Sequence, residues 1–317
     1  MLDDVNVLKQ RDPSGALDVV GLQYEQAKFK IDLKNQGHDG RKLTSIVVAG
    51  MGGSALAALL VKSWLKSELN IPIEVVRTYD LPNYVNSDTL VIASSYSGNT
   101  EETLNCLEQA EAKGAQIAII ASTGKLIDIA NEKQITYAPI PGGIQPRMAV
   151  IYNLCALVTL LVNFDIVSNE KIDQIAAVSD WLKSESEKWA SSVATDVNYA
   201  KKLALQAVGK TAVFYGGTLT APVAYKWKIS WNENAKNVAF WNEFPEFNHN
   251  EFIGWTSHPV EKPFAVFDIF SSFEHPRILK RFEVSDRLLS GKRPKSTVIN
   301  LAGESIIEQL LLSLIHI

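Results

Sequence analysis

Four hydroxyl side chains surround one glycine in SSYSGNTEE, residues 94–102: Ser94, Ser95, Ser97 and Thr100 around Gly98. The apolar run before it, DTLVIASS, reads as a strand, and TEETLNCLEQAEAKG, with acids in its first turn, as a helix from Thr100 that stops at Gly114. A strand-to-helix turn of this composition combines unpaired N–H groups, the positive end of a helix dipole and hydroxyl donors. Together these suit a dianion, so the segment is expected to hold the phosphate of a small molecule. The plainer alternative is a Ser/Thr-rich helix cap, which needs fewer hydroxyls.

A second loop, AGMGGSA at 49–55, follows another short strand, SIVVAG. Gly50, Gly52 and Gly53 allow close backbone approach to a ligand, and Ser54 is expected to open the helix that follows. Gly50-x-Gly52-x-x-Ala55 also fits a relaxed dinucleotide fingerprint, although Glu74 lies too far along and too early in its strand for a ribose carboxylate. No Gly-Lys-Ser/Thr follows either loop, so a Walker phosphate site is not expected.

Three further residues have types suited to carbon chemistry. Glu233, in SWNENAK, stands near the end of a predicted helix among Asn232, Asn234, Trp227 and Trp231. A carboxylate screened from water there could serve as a carbon base; the ordinary reading is a solvated helix face. His249 lies in EFNHNEF. No two of the five histidines have helical metal-ligand spacing, so zinc is not expected, and His258 and His275 read as turn and capping residues. Arg147 follows Pro146 immediately before a long apolar run. A guanidinium at a helix start works against the dipole, so a purely structural role explains it poorly; the alternative is a surface arginine.

The elements that must position these groups alternate along the chain. Strands at 45–50, 71–80, 88–95, 116–122 and 135–140 are interleaved with helical patterns, which implies a parallel sheet with crossovers. After amphipathic helices at 166–210 the alternation resumes, with strands at 211–217, 236–241, 263–270 and 296–301. The expected fold is α/β, with two doubly wound parallel-sheet halves packed together, one over 1–165 and one over 166–317. A chain of 317 residues exceeds one comfortable core, consistent with two halves. A formal net charge of −4 with no dense Lys/Arg run argues against a nucleic-acid partner. Cys106 and Cys155 lie inside apolar helical segments and read as buried thiols. MAVIYNLCALVTLLVNF (148–164) approaches membrane length but carries Asn153 and Thr159 and is flanked by charge, so a core helix is expected and no membrane partner. The N-terminus lacks an apolar signal core.

GMGGSA followed by SSYSGNTEET resembles the sugar isomerase (SIS) domain. PGGIQPR (141–147), NENAKN (232–237) and FPEFNHNEFIGW (244–255) narrow the likeness to the bifunctional phosphoglucose/phosphomannose isomerase family. The resemblance implies two SIS-type halves, a cytoplasmic homodimer, hexose 6-phosphate substrates and no metal or redox cofactor. It implies that Gly52, Gly53, Ser54, Ser95, Ser97, Thr100 and Pro146 bind substrate. It makes Glu233 the base that moves a proton between C2 and C1, His249 the ring-opening group, supplied by the partner subunit, and Arg147 the stabiliser of the enediolate. It also implies that the last apolar run, LLLSLIHI, continues into a tail bearing a Lys and a Thr, with Leu310, Leu311, Leu314 and Ile317 needing a cover. A non-catalytic phosphosugar sensor on the same fold is the competing expectation.

Overall fold

The computed structural model describes residues 2–257 and 261–315. The polar N-terminal stretch forms two short helices, α1 (Val5–Arg11), capped by Asp4, and α2 (Ala16–Gly21). From Ser45 strands and helices alternate: β1 (Ser45–Ala49), α3 (Gly52–Trp64), β2 (Ile73–Val76), β3 (Thr89–Ser94), α4 (Glu101–Ala112), β4 (Gln116–Ala121), α5 (Lys125–Glu132), β5 (Thr136–Pro139) and α6 (Val150–Asn163). The five strands pair in parallel in the order β2-β1-β3-β4-β5. β3 is buried at every position, as a central strand covered on both faces requires. α4 and α5 cover the face that presents Val47, Val91, Ala93 and Ile119, while α3 packs on α6. The apolar run at 148–164 is thus a core helix, with Leu154, Leu157, Leu160 and Leu161 buried. Among the described residues no helix is long and apolar enough to cross a membrane.

Three charged helices follow, α7 (Glu170–Ala177), α8 (Ser179–Glu187) and α9 (Tyr199–Gln206). The alternation then repeats as β6 (Thr211–Gly216), α10 (Ala221–Asn234), β7 (Ala239–Glu243), α11 (Glu251–Gly254), β8 (Phe264–Phe270), α12 (Pro276–Leu288), β9 (Thr297–Asn300) and α13 (Ile306–Leu312). This second sheet is also parallel, in the order β7-β6-β8-β9, which copies β2-β1-β3-β4 of the first. One of its faces is aromatic, built on Tyr215, Phe244, Phe247 and Phe282.

The chain divides into two compact units, Glu25–Ser179, and Met1–Tyr24 with Asp180–Ile317. This differs from a cut at 165/166, because the N-terminal segment is tied to the second unit. Asp3 accepts from Lys201 Nζ (2.8 Å) and Thr195 N (3.0 Å), and these bonds hold its carboxyl down to about 2. The expectation that the last apolar run needs an outside cover is corrected: Leu310, Leu311 and Leu314 are buried within this chain. Ser305 and Glu308 form a capping box that starts α13, and Trp227 Nε1 donates to Ser313 O (2.9 Å) at its end. Ile317 and His258 lie outside the described residues.

The second unit buries a carboxylate, Asp268 on β8. Arg293 Nη2 stands 3.5 Å from both Asp268 Oδ2 and Asp286 Oδ1. Burial outweighs the pull of Arg293 and pushes the Asp268 carboxyl up to about 6. The folded state therefore holds this proton more tightly than the unfolded chain. The stability it contributes is complete below about pH 4, the ordinary carboxylate value, and is lost as pH rises through about 6. Thermal melts across pH 4–7 are expected to show the wild-type melting temperature falling relative to that of Asp268→Asn; parallel profiles would contradict this.

Candidate active site

In the first sheet the chain leaves β1 through α3 towards β2 on one side, and leaves β3 through α4 towards β4 on the other. The strand order reverses between β1 and β3, and at such a point an open α/β sheet leaves a crevice beyond its strand ends. Both loops singled out above open there. Their helices are 13 and 12 residues long, and neither N-cap residue, Met51 or Thr100, makes a side-chain capping bond. The Thr100 hydroxyl instead pairs with Ser95 Oγ (2.7 Å), and Ser97 Oγ stands 3.5 Å from the same atom. These hydroxyls are therefore not spent as caps, which favours the anion loop over a plain Ser/Thr-rich cap. Two helix N-termini face one crevice, each with first-turn N–H groups that no cap side chain satisfies.

Ser54 does not open its helix as expected, because α3 starts two residues earlier at Gly52. It is buried in the first turn, and its Oγ accepts from Tyr96 N (3.1 Å), while Ser94 Oγ donates to Ser54 O (3.3 Å). These bonds stitch the two loops together. Tyr96 escapes a search for chemistry-bearing residues, yet it fixes a third segment. Its Oη accepts from Ile144 N (3.2 Å), drawing PGGIQPR to the crevice. One large aromatic ring among small polar loop residues is the signal that could have found it.

PGGIQPR ends in a 3-10 turn, Pro146–Met148, at the foot of α6. The first turn of α3 lies directly against it: a Cβ on Gly53 would stand 2.9 Å from Pro146 O and 3.4 Å from Arg147 Cα. That contact brings Arg147 to the crevice, half-buried, with Nη1 donating to Gln145 Oε1 (3.3 Å). The structure thus gathers Gly52, Gly53, Ser54, Ser95, Ser97, Thr100, Pro146 and Arg147 in one unit around one crevice.

Glu233 and His249 belong to the other unit. Glu233 continues the face that α10 buries through Lys226, Ile229 and Ser230, but the last turn is exposed, and Glu233 with it. The expected screening from water is therefore absent within its own unit. The turn itself is firmly closed: Lys236, in the left-handed region, donates through Nζ to Glu233 O (2.7 Å), and Asn232 Nδ2 donates to Asn237 O (2.8 Å). His249 is exposed on a loop anchored two residues later by Glu251. The carboxylate of Glu251 accepts from Tyr215 Oη and from Asn242 Nδ2 (2.7 Å). His275 is the expected cap, with Nδ1 accepting from Arg277 N (3.1 Å) at the start of α12.

Glu74 sits mid-strand in β2, bonded to Tyr84 Oη, and not at the strand end where a ribose carboxylate would stand. Both cysteines are buried, and burial pushes Cys106 up to about 11 and Cys155 up to about 12, so neither offers a thiolate near neutrality. Among the described residues no cluster of three or more His, Cys, Asp or Glu could hold a metal ion.

Residues 41–163 match the SIS domain family, and residues 196–317 match the bacterial phospho-glucose isomerase C-terminal SIS domain. The bifunctional phosphoglucose/phosphomannose isomerase of Caldicellulosiruptor bescii is 37% identical over 252 residues, covering 78% of this chain and 74% of that protein. The enzyme of the same name from Thermoplasma acidophilum is 34% identical, covering 86% and 80%. Among solved structures, the C-terminal domain of glucosamine-fructose-6-phosphate aminotransferase from Francisella tularensis superposes with a TM-score of 0.66. It shares 13% identity over 95% of this chain and 90% of that one, a likeness of fold.

Proposed function

Because the chain belongs to the bifunctional phosphoglucose/phosphomannose isomerase family, we propose that it interconverts glucose 6-phosphate and fructose 6-phosphate, and also mannose 6-phosphate and fructose 6-phosphate. The observation that carries this reading is the crevice between β1 and β3. Two helix N-termini without side-chain caps and the Ser95–Thr100 hydroxyl pair open there, and the backbone of Arg147 packs against the first turn of α3. Dianion binding needs the first two, and steadying an enediolate needs a cation.

In this reading the 6-phosphate rests on Ser95, Ser97 and Thr100 and the backbone of Gly52 and Gly53, beside Ser54 and Pro146. His249 moves the proton between the ring oxygen and the anomeric hydroxyl, which opens the ring. The Glu233 carboxylate then takes the C2 proton of the aldose. Electrons shift to the C1 carbonyl, and the enediolate that results is held by Arg147. Return of the proton to C1, with transfer of the O2 proton to O1, gives the ketose. Delivery of the proton to either face of C2 in the reverse direction yields glucose or mannose 6-phosphate. No electrons leave the substrate, so the reaction needs no redox cofactor. The reading carries with it a cytoplasmic homodimer in which His249 serves the site of the neighbouring copy.

A coupled assay with the three hexose phosphates tests this. Turnover of glucose and mannose 6-phosphate is expected. Phosphosugar binding without turnover would instead favour the sensor. Removing one hydroxyl of the cradle, by Ser95→Ala, is expected to raise KM for fructose 6-phosphate by roughly tenfold with little change in kcat, as loss of one charge-assisted hydrogen bond in ground and transition states alike predicts. An unchanged KM would remove Ser95 from the site.

A further inference from the structure

The second sheet repeats the switch point of the first, with β6 and β8 standing where β1 and β3 stand. Its two crevice loops run from Gly217 to Thr220 after β6 and from Ser271 to His275 after β8. Here the groups that would face an anion are already engaged from within the chain. The buried carboxylate of Glu274 reaches across from the β8 loop to the β6 loop: Oε2 accepts from Leu219 N (2.8 Å), and Oε1 accepts from His275 N (3.2 Å). It lies so close over Gly217 that a Cβ there would stand 2.2 Å from Oε2 and 2.6 Å from Cδ. The hydroxyls of these loops are also spent internally. Thr220 Oγ1 accepts from Gly217 N (2.7 Å) and donates to Ile269 O (2.9 Å). Ser271 Oγ donates to Gln309 Oε1 (2.7 Å), and Ser272 Oγ accepts from Gln309 Nε2 (2.8 Å).

We infer that Glu274 is a built-in occupant of the second half's anion cradle, so that each chain binds one phosphate group, in the crevice of its first half. The inference rests on the reading that the crevice between β1 and β3 takes phosphate. Its physical basis is electrostatic. The N-terminus of α10, a 14-residue helix, attracts negative charge, and the Glu274 carboxylate stands at its approach, on Leu219 N. A phosphate dianion entering the same loop would meet a carboxylate at hydrogen-bonding distance, a repulsion that excludes it. The two halves share one strand order, but the serine- and glycine-rich turn of one is replaced by SSFEH in the other. α10 is thereby held at its start without substrate, and its last turn carries Glu233.

Calorimetric titration of the full chain with inorganic phosphate tests the inference. Wild type is expected to bind one phosphate. Glu274→Ala and Glu274→Ser, which empty the cradle, are expected to bind two, while Glu274→Gln, which keeps it filled, stays at one. In a Ser95→Ala/Thr100→Val background, the chain with Glu274 should bind none, and Glu274→Ser should restore one. Two phosphates on wild type would overturn the inference. So would wild-type stoichiometry in both small variants when they still melt cooperatively. If wild type binds none and the small variants bind one, the reading of the first crevice fails while the occupancy by Glu274 stands. Should both small variants fail to melt cooperatively, the wild-type count decides: one supports the inference and two overturns it.

Discussion

Glu233→Gln is expected to lower kcat for glucose 6-phosphate by roughly 10³-fold, within the range that loss of a positioned general base produces, while fructose 6-phosphate still binds with nearly wild-type affinity. Glutamine keeps the shape of the side chain, and the bonds to Glu233 O and from Asn232 that close the last turn of α10 are untouched by the change. Stability should therefore hold, and the loss should fall on the chemical step. The competing account, a solvated helix face, predicts no kinetic change, and exposed substitutions away from special features alter stability by no more than about 0.5 kcal/mol. Because Glu233 is exposed within its unit, the two accounts differ most in the variant's kcat, and unchanged turnover would remove Glu233 from the mechanism.

The second large effect is expected from Gly98→Ala. Gly98 has φ +67, and a Cβ there would stand 1.7 Å from Thr123 O and 2.8 Å from Thr123 C. Both are backbone atoms that no rotamer can move aside. Left-handed geometry alone costs a non-glycine residue about 1–2 kcal/mol. The clash adds displacement of the Ser95–Thr100 turn, and the sum is expected to reach at least about 3 kcal/mol, the scale of special-backbone and overpacking changes. Phosphosugar affinity should fall by tenfold or more, because the hydroxyls and the start of α4 move with the turn. Gly52→Ala separates the two causes. It also has positive φ, +51, but nothing lies within 4 Å of its added Cβ, so only the conformational cost applies. Denaturant melts of the two variants check this; equal losses would contradict the assigned role of Thr123.

Much of this architecture is legible in the residues themselves. The buried β-branched runs and the Thr100 helix start place β1, β3 and α4 within a residue or two, because hydrophobic periodicity is a local property. The glycines and hydroxyls of the two loops are legible for the same reason: backbone approach and anion binding demand those residue types directly. What the residues do not announce is long-range packing. Tyr96 looks like an ordinary aromatic until its Oη is found on Ile144 N, and Glu274 looks like a surface acid until its carboxylate is found on Leu219 N. Leu310, Leu311 and Leu314 read as an uncovered apolar run because what buries them is not their neighbours in sequence. Likewise, Asp3 joins the N-terminal segment to residues almost two hundred positions away, which no spacing rule could anticipate.

The proposed reaction turns on a proton transfer between C1 and C2 of a hexose 6-phosphate. The most direct measurement follows fructose 6-phosphate in deuterated water by NMR with the wild-type chain. Glucose and mannose 6-phosphate are both expected to form, carrying deuterium at C2, and deuterium is expected to enter C1 of the remaining ketose. Fructose 6-phosphate that raises the melting temperature, yet yields neither aldose nor deuterium at either carbon, would contradict it.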